Sequence, residues 1–309
     1  MSGFLNYLVR RLLAAVITLL GVILVMVLLM RALPGDAAQT IAGLQATPEQ
    51  VEQVRQSMGL DQPVPVQYWR YLVNLAHGSL GTSARFGTTV LSEIGHRLPY
   101  TLVLAVCGTL FGAIFGIALG VLAATHKGRW ADAFGSMLGV AGISMPVYWL
   151  GILLIVLFSV QLKLLPIGGA DTLSSLVMPT ITLAVFSMAV VSRMTRSTML
   201  DTLDQDYVRT VRAKGVAEWV AVRHALRNAF IPILTVIGLQ FGTLLGGAVL
   251  TETVFSWPGI GQLLVQSINN RDFPLVQGIV FVFAAMFIAL NIVTDLLYSV
   301  VDPRVRLYR

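Results

Sequence analysis

Charge is what this sequence has least of. Only 12% of its 309 residues are Asp, Glu, Lys or Arg, about half the share of an average soluble domain. So few charges cannot cover a water-exposed surface of this size, and 56% of the residues are hydrophobic. The composition therefore excludes an ordinary soluble domain and points to an integral membrane protein. Cysteine occurs once, at Cys107, which rules out an intrachain disulfide and any cysteine-built zinc or iron–sulfur site. The three lysines, Lys127, Lys163 and Lys214, never follow a glycine, so no G-x-x-x-x-G-K-[ST] phosphate loop exists and the chain cannot be a P-loop ATPase. The histidines, His77, His96, His126 and His224, form no i, i+4 pair and no H-E-x-x-H, which argues against a helical zinc site. Ser144 lies in GISMP, which is not a G-x-S-x-G nucleophile elbow.

What the sequence does have is long apolar runs. Six are long enough to cross a bilayer, near 12–30, 99–124, 133–160, 176–195, 229–250 and 275–298, each near the roughly 20 residues a membrane helix needs. The first follows Arg10 and Arg11 but exceeds the roughly 7–15 residues of a secretory signal core and has no convincing cleavage site after it, so it reads as a signal-anchor helix. If the N-terminus is cytoplasmic, fourteen of the 21 Lys and Arg fall on the inside. The seven on the outside, Arg31, Arg55, Arg70, Arg85, Arg97, Lys163 and Arg271, are spread over far more residues. That bias places both termini inside.

The outside segment 31–98 is too long to be bare loop. Thr47-Pro48-Glu49-Gln50 reads as a helix start with a capping box, and Gly59 as its stop. QYWRYLVNLAHG, from Gln67 to Gly78, reads as a second short helix. Its Tyr68, Trp69 and Tyr71 suit the membrane interface or the packing of a small outer cap. In the second run Gly108, Gly112, Gly116 and Gly120 recur every four residues, and in the fifth Gly238, Gly242 and Gly246 do the same. This spacing gives a small-residue face for close helix approach. Pro146 and Pro179 fall inside the third and fourth runs and predict kinks. Such kinks suit cavity-lining helices and also occur in membrane helices of every kind. Asp295 is the one carboxylate well inside a run, a candidate by its position, though near enough to the cytoplasmic end to be bonded at the interface.

The feature that stands apart is DYVRTVRAKGVAEWVAVRHALRNAFIP, from Asp206 to Pro232. It is basic, helix-forming and set between two apolar runs. A turn falls at Gly215, after which Trp219, Val222 and Leu226 share one helical face. Three readings fit: an amphipathic helix on anionic lipid, an ordinary basic loop, or a docking helix for a soluble partner. A Trp on an apolar face with charged flanks suits a groove in a partner.

These residues resemble the cytoplasmic loop of ABC importer permeases in the dipeptide/oligopeptide/nickel/glutathione branch. The resemblance extends to LPGD (Leu33 to Asp36), MGLDQPVPVQYW (Met58 to Trp69), TETVFSWPGIG (Thr251 to Gly261), RDFPLVQG (Arg271 to Gly278) and DLLYSVVDPR (Asp295 to Arg304). It departs from the general permease pattern at Arg209, Thr210 and Val211, where Glu-Ala-Ala is usual, and from the branch at Ser79, where Asp is usual. The resemblance implies an all-α, type I importer permease with six transmembrane helices in one domain over 1–309. The first span would be followed by a small helical extracytoplasmic segment, 31–98, and a five-helix core over about 99–298 would carry the coupling loop, 196–228. Arg209, Arg212, Ala213, Lys214, Gly215, Val216, Glu218, Trp219, Val222 and Arg223 would form the surface that meets the motor. The implied partners are a second homologous permease, two cytoplasmic ATPases that bind ATP and Mg, and a periplasmic or lipid-anchored solute-binding protein. Lipid would surround the chain in the bacterial inner membrane, with no nucleic acid and no cofactor on this chain. Pro146 and Glu252, the latter near the outer mouth, are the residues offered for a translocation path. Glu252 fits a substrate amine or, equally, a cap on the outer segment. The implied substrate is a di- or oligopeptide, with glutathione and nickel chelates as alternatives. An ATP-independent channel or secondary carrier, its basic loop merely holding lipid, is the competing class; an intramembrane enzyme lacks the required pattern.

Overall fold

A computed structural model describes residues 2–32, 37–43 and 45–301. The LPGD motif, Arg304, Arg306 and Arg309 lie outside the described residues, as does the side chain of Asp295. Twelve α-helices occur among the described residues: α1 (Ser2–Ala32), α2 (Ala37–Ala42), α3 (Pro48–Met58), α4 (Val64–Ala76), α5 (Val90–Thr125), α6 (Trp130–Ser144), α7 (Val147–Leu154), α8 (Val177–Leu203), α9 (Asp206–Ala213), α10 (Glu218–Val254), α11 (Ile260–Asn269) and α12 (Phe273–Val301). A π-helical turn, Ile155–Gln161, extends α7, and a 3₁₀ turn, Leu173–Leu176, precedes α8. The one β contact among the described residues is an isolated antiparallel bridge, Thr82 to Thr89.

Five helices are long and apolar enough to cross a membrane, and six spans result if α6 and α7 count as one bent crossing. They coincide with the six runs read from the sequence but are longer. Hydropathy marks where lipid would be, whereas a helix continues into polar flanks wherever nothing breaks it. Thus α5 starts at Val90 and passes through Pro99. The basic helix and the fifth run are likewise one 37-residue helix, α10, through Pro232. Ala225, Ala229 and Ile233, all buried, continue the same stripe across that proline, so packing offsets the one hydrogen bond it deletes.

The two proline kinks come out differently from expectation. At Pro146 the third run breaks outright: α6 ends at Ser144, Met145 is extended, Pro146 caps α7, and the axis turns by 102°. Pro179 makes no kink. It is the third residue of α8, in a first turn whose N–H groups have no intrahelical acceptor.

Two compact units are distinguishable among the described residues, those of 1–99 with 259–289 and those of 100–258 with 290–301. In the first, Thr47 and Gln50 form the expected capping box on α3, and Gly59 closes it with φ +67°. Leu80, Val90, Ile94, Ile260, Leu263, Leu275 and Ile279 make its core. Asp272 organises the adjoining loop: its carboxyl group accepts the Ser83 hydroxyl and the amides of Ala84 and Arg85, and caps α12 through the Leu275 amide. Asp272 is 1% exposed. Asp272→Ala removes an N-cap and strands buried donors, so a loss of about 2–4 kcal/mol is expected. Thermal unfolding in detergent reads it; a wild-type midpoint contradicts this role.

In the second unit the glycines of α5 lie against α8. Each glycine meets one residue of a matching four-residue stripe: Gly108 faces Leu183, Gly112 Ser187, Gly116 Val191 and Gly120 Thr195. Gly238 of α10 faces Thr294, Gly242 is buried, and Gly246 meets nothing within 4 Å among the described residues. Where α6 begins, Asp132 takes both the Nε (2.6 Å) and Nη2 (2.9 Å) of Arg196 and the Gly128 amide, which ties α6 to α8.

Candidate docking knuckle and membrane break

The basic stretch folds as a knuckle. Asp204 and Gln205 end α8, α9 follows, and the chain reverses through Lys214 and Gly215 into α10. Gly215 takes φ +73°, the left-handed conformation that glycine adopts without steric penalty, and its amide bonds the Arg212 carbonyl at 3.0 Å. One side of the knuckle is fixed. Val208 of α9 is fully buried with Met199, Ala221, Ala225, Ala229 and Ile233, and Val211, Val222 and Leu226 pack against them. Alanine at every fourth position of α10 lets α8 and α9 approach closely. The alanine stripe is short of bulk, so the motif reads as weakly amphipathic even though it is buried.

The other side is open. Every residue from Arg212 to Trp219 is exposed, as are Arg209, Arg223 and Arg227. Trp219 is 65% exposed and Val216 39%. Trp219 therefore leaves the face it shares with Val222 and Leu226: those two pack inward, and the indole projects beyond the cluster. Glu218 does not add a free negative charge. Arg212 grips it with Nη2 at 2.6 Å and Nε at 3.1 Å, a fork that spans the Gly215 turn and holds the Arg212 guanidinium ionised. The net result is an exposed apolar pair, Val216 and Trp219, with the exposed cations Lys214, Arg223 and Arg227 close by in the chain, carried on the buried cluster. This suits insertion into a complementary groove. The sequence shows the cations and the turn; it does not show the Arg212–Glu218 fork, whose partners are six residues apart on different helices.

The residues offered for a path lie apart from the knuckle. The break at Ser144–Pro146 comes after the 15 residues of α6 and before the 15 of α7 with its π turn, or about 22 Å of helix on either side. Ile143, Ser144 and Pro146 are exposed. Glu252, near the end of α10, is 0% exposed and accepts the Thr101 hydroxyl at 2.7 Å. Next to it the Trp257 indole donates to the Tyr100 carbonyl at 3.0 Å. Among the described residues no three His, Cys, Asp or Glu side chains cluster as a metal site.

Comparison with known proteins agrees with this architecture. Residues 116–307 match the family described as "Binding-protein-dependent transport system inner membrane component", and residues 4–105 match its N-terminal family. The glutathione transport system permease protein GsiC of Salmonella paratyphi A is 46% identical over 303 residues, covering 98% of this chain and 99% of that protein. The same protein of Escherichia coli K12 is 45% identical with the same coverage. Among solved structures, inward-facing MetNI, a methionine ABC transporter, superposes with TM-score 0.55 at 20% identity, covering 69% of this chain and 97% of that one. An amino acid ABC transporter crystallised with histidines superposes with TM-score 0.55 at 18% identity, covering 67% and 94%. At these identities the structural likeness speaks to the fold.

Proposed function

The chain belongs to the family of binding-protein-dependent transport system inner membrane components, and from that premise we propose how it takes part in transport and what it carries. It is a multi-pass permease subunit of an ABC importer in the peptide/nickel/glutathione branch, a transport component and not an enzyme, that works with ATPase and binding-protein components.

The proposed substrate is a small peptidic solute, with glutathione foremost. What supports this is the 45–46% identity to glutathione permeases along 98% of the chain, which leaves room for dipeptides and metal chelates of similar size. In the proposed arrangement the knuckle is cytoplasmic, as are both termini, and Val216 and Trp219 enter a cleft on an ATPase chain. ATP binding and hydrolysis there, with Mg, draw the knuckles of two permease subunits together and apart. Because α9 and α10 share one buried cluster, the displacement passes rigidly along α10, and differential binding of ATP to two states switches the access of the cavity.

The break at Ser144–Pro146 supports a second permease subunit. Non-helical backbone at membrane depth is tolerated only where protein covers it or it lines a water-filled cavity, and here it is exposed in the isolated chain. We place it on the path formed with the partner permease. Glu252, buried on Thr101, would meet a substrate only after α5 and α10 part at that point.

The test is uptake by the reconstituted importer across glutathione, dipeptides and nickel chelates. ATP-dependent uptake of glutathione above the others supports the substrate reading, and exclusive uptake of a nickel chelate overturns it. Flux by this chain alone, without ATP or partners, would establish the channel or carrier class instead.

A further inference from the structure

The short helix α4 divides its surface three ways, a pattern the transport reading does not use. One face is turned to α1 and α12. The Tyr68 hydroxyl donates to the Leu20 carbonyl of α1 at 3.3 Å. The Tyr71 ring lines a small cavity with Val22, Ile23 and Met26 of α1 and Gln277 and Phe281 of α12, its hydroxyl buried without a partner among the described residues. A second face is apolar and open: Val66 is 46% exposed, Trp69 67% and Val73 38%. A third is polar and open, with Arg70, Asn74 and His77. It borders Gln67, whose amide ties α4 to the preceding loop through the Leu60 and Gln62 carbonyls. On a helical wheel the apolar and polar open faces sit side by side, about 60° wide each, and the tyrosine side takes up the rest of the circle.

Depth is set by α1. Its apolar run is bracketed by Arg10 and Arg11 at one end and Arg31 at the other. That is about 28 Å of helix between charges, against about 30 Å of hydrocarbon, so α1 has little freedom to slide along the membrane normal. Leu20 then lies about 16 Å from Arg31 along the helix and Met26 about 8 Å. The side chains of Tyr68 and Tyr71 reach α1 between these two levels, so the tyrosine face of α4 lies in the hydrocarbon of the leaflet on the side of the 31–98 segment and the helix that carries it lies nearer the headgroups. A soluble partner does not reach that depth, whereas acyl chains occupy it.

We propose that α4 is a lipid-binding element, sunk into that leaflet with Val66, Trp69 and Val73 against acyl chains and Arg70, Asn74 and His77 turned to the headgroups. The two tyrosines expected at an interface are instead the anchor to α1, and Trp69 alone of the three aromatics faces lipid.

The test uses the full chain in phosphatidylethanolamine/phosphatidylglycerol vesicles. Nitroxides are placed at Trp69→Cys and, separately, Asn74→Cys in a Cys107→Ala background, and their collision rates with oxygen and with a water-soluble nickel chelate are compared. The oxygen-to-nickel ratio is expected to be severalfold higher at 69 than at 74. Equal ratios would put the Trp69 face in water, and exclusion of both agents at 69 would mean that protein covers it; either result overturns the proposal. A milder variant gives an independent reading. Trp69→Phe should lower the fraction of tryptophan fluorescence quenched by dibrominated phosphatidylcholine relative to wild type, and an unchanged fraction overturns the proposal as well.

Discussion

Gly215→Pro is expected to abolish ATP-driven uptake while the chain still inserts into the membrane. Gly215 sits at φ +73° and gives its amide to the Arg212 carbonyl. Proline fixes φ near −65° and has no amide hydrogen, so the turn cannot form and the knuckle loses its shape where Val216 and Trp219 are presented. Gly215→Ala is the graded control. An added Cβ meets nothing within 4 Å, and only the left-handed backbone opposes it, at about 1–2 kcal/mol; uptake should fall partially. Trp219→Asp separates docking from folding. The indole is mostly exposed, so the variant should fold and fail to transport, with an acid placed among cations where an apolar anchor belongs. Wild-type uptake by both Gly215→Pro and Trp219→Asp in proteoliposomes would remove the knuckle from the mechanism.

The second large effect is expected in the membrane. A Cβ at Gly120 would stand 2.5 Å from the Thr195 Cβ and 2.6 Å from the Ser192 carbonyl oxygen, and at Gly112 2.6 Å from the Ser187 Cβ. None of these three obstacles is the far end of a flexible side chain, so α5 and α8 must separate to admit a methyl group. Overpacking of this kind costs about 1–3 kcal/mol per site. The two sites are eight residues apart, about 12 Å, and should add to about 2–6 kcal/mol. That is a large part of the total stability of a typical fold, about 5–15 kcal/mol. Close dispersion contact is also the main attraction between helices in lipid, where no hydrophobic drive exists. Gly112→Ala/Gly120→Ala should therefore unfold well below wild type in detergent, and Gly112→Val/Gly120→Val should fail to accumulate. Gly246→Ala has nothing to strike and should be neutral or gain up to about 1 kcal/mol of helix propensity. A wild-type midpoint for the double alanine variant would refute the packing account.

These residues show how far the sequence could be read. Local signals read well: Thr47 to Gly59 carries its own start and stop, and the six apolar runs mark five membrane-length helices and one bent pair, because hydropathy and capping act over a few neighbouring residues. The glycine stripe of α5 announced a close approach but not its target. Leu183, Ser187, Val191 and Thr195 are unremarkable as a string and become a matching surface only in the fold. Proline was ambiguous for a positional reason: Pro179 sits in a first turn and costs nothing, Pro232 is overridden by buried alanines, and Pro146 breaks its span. Asp272 with Ser83, and Asp132 with Arg196, were illegible because their partners are 189 and 64 residues away, beyond any local pattern.

The most direct measurement places a photo-crosslinking residue at position 219 in the complete importer. Irradiation should join this chain to an ATPase chain, in a yield that changes between the nucleotide-free and ATP-bound states. Adducts with lipid alone, and none with an ATPase chain in either state, would contradict the account.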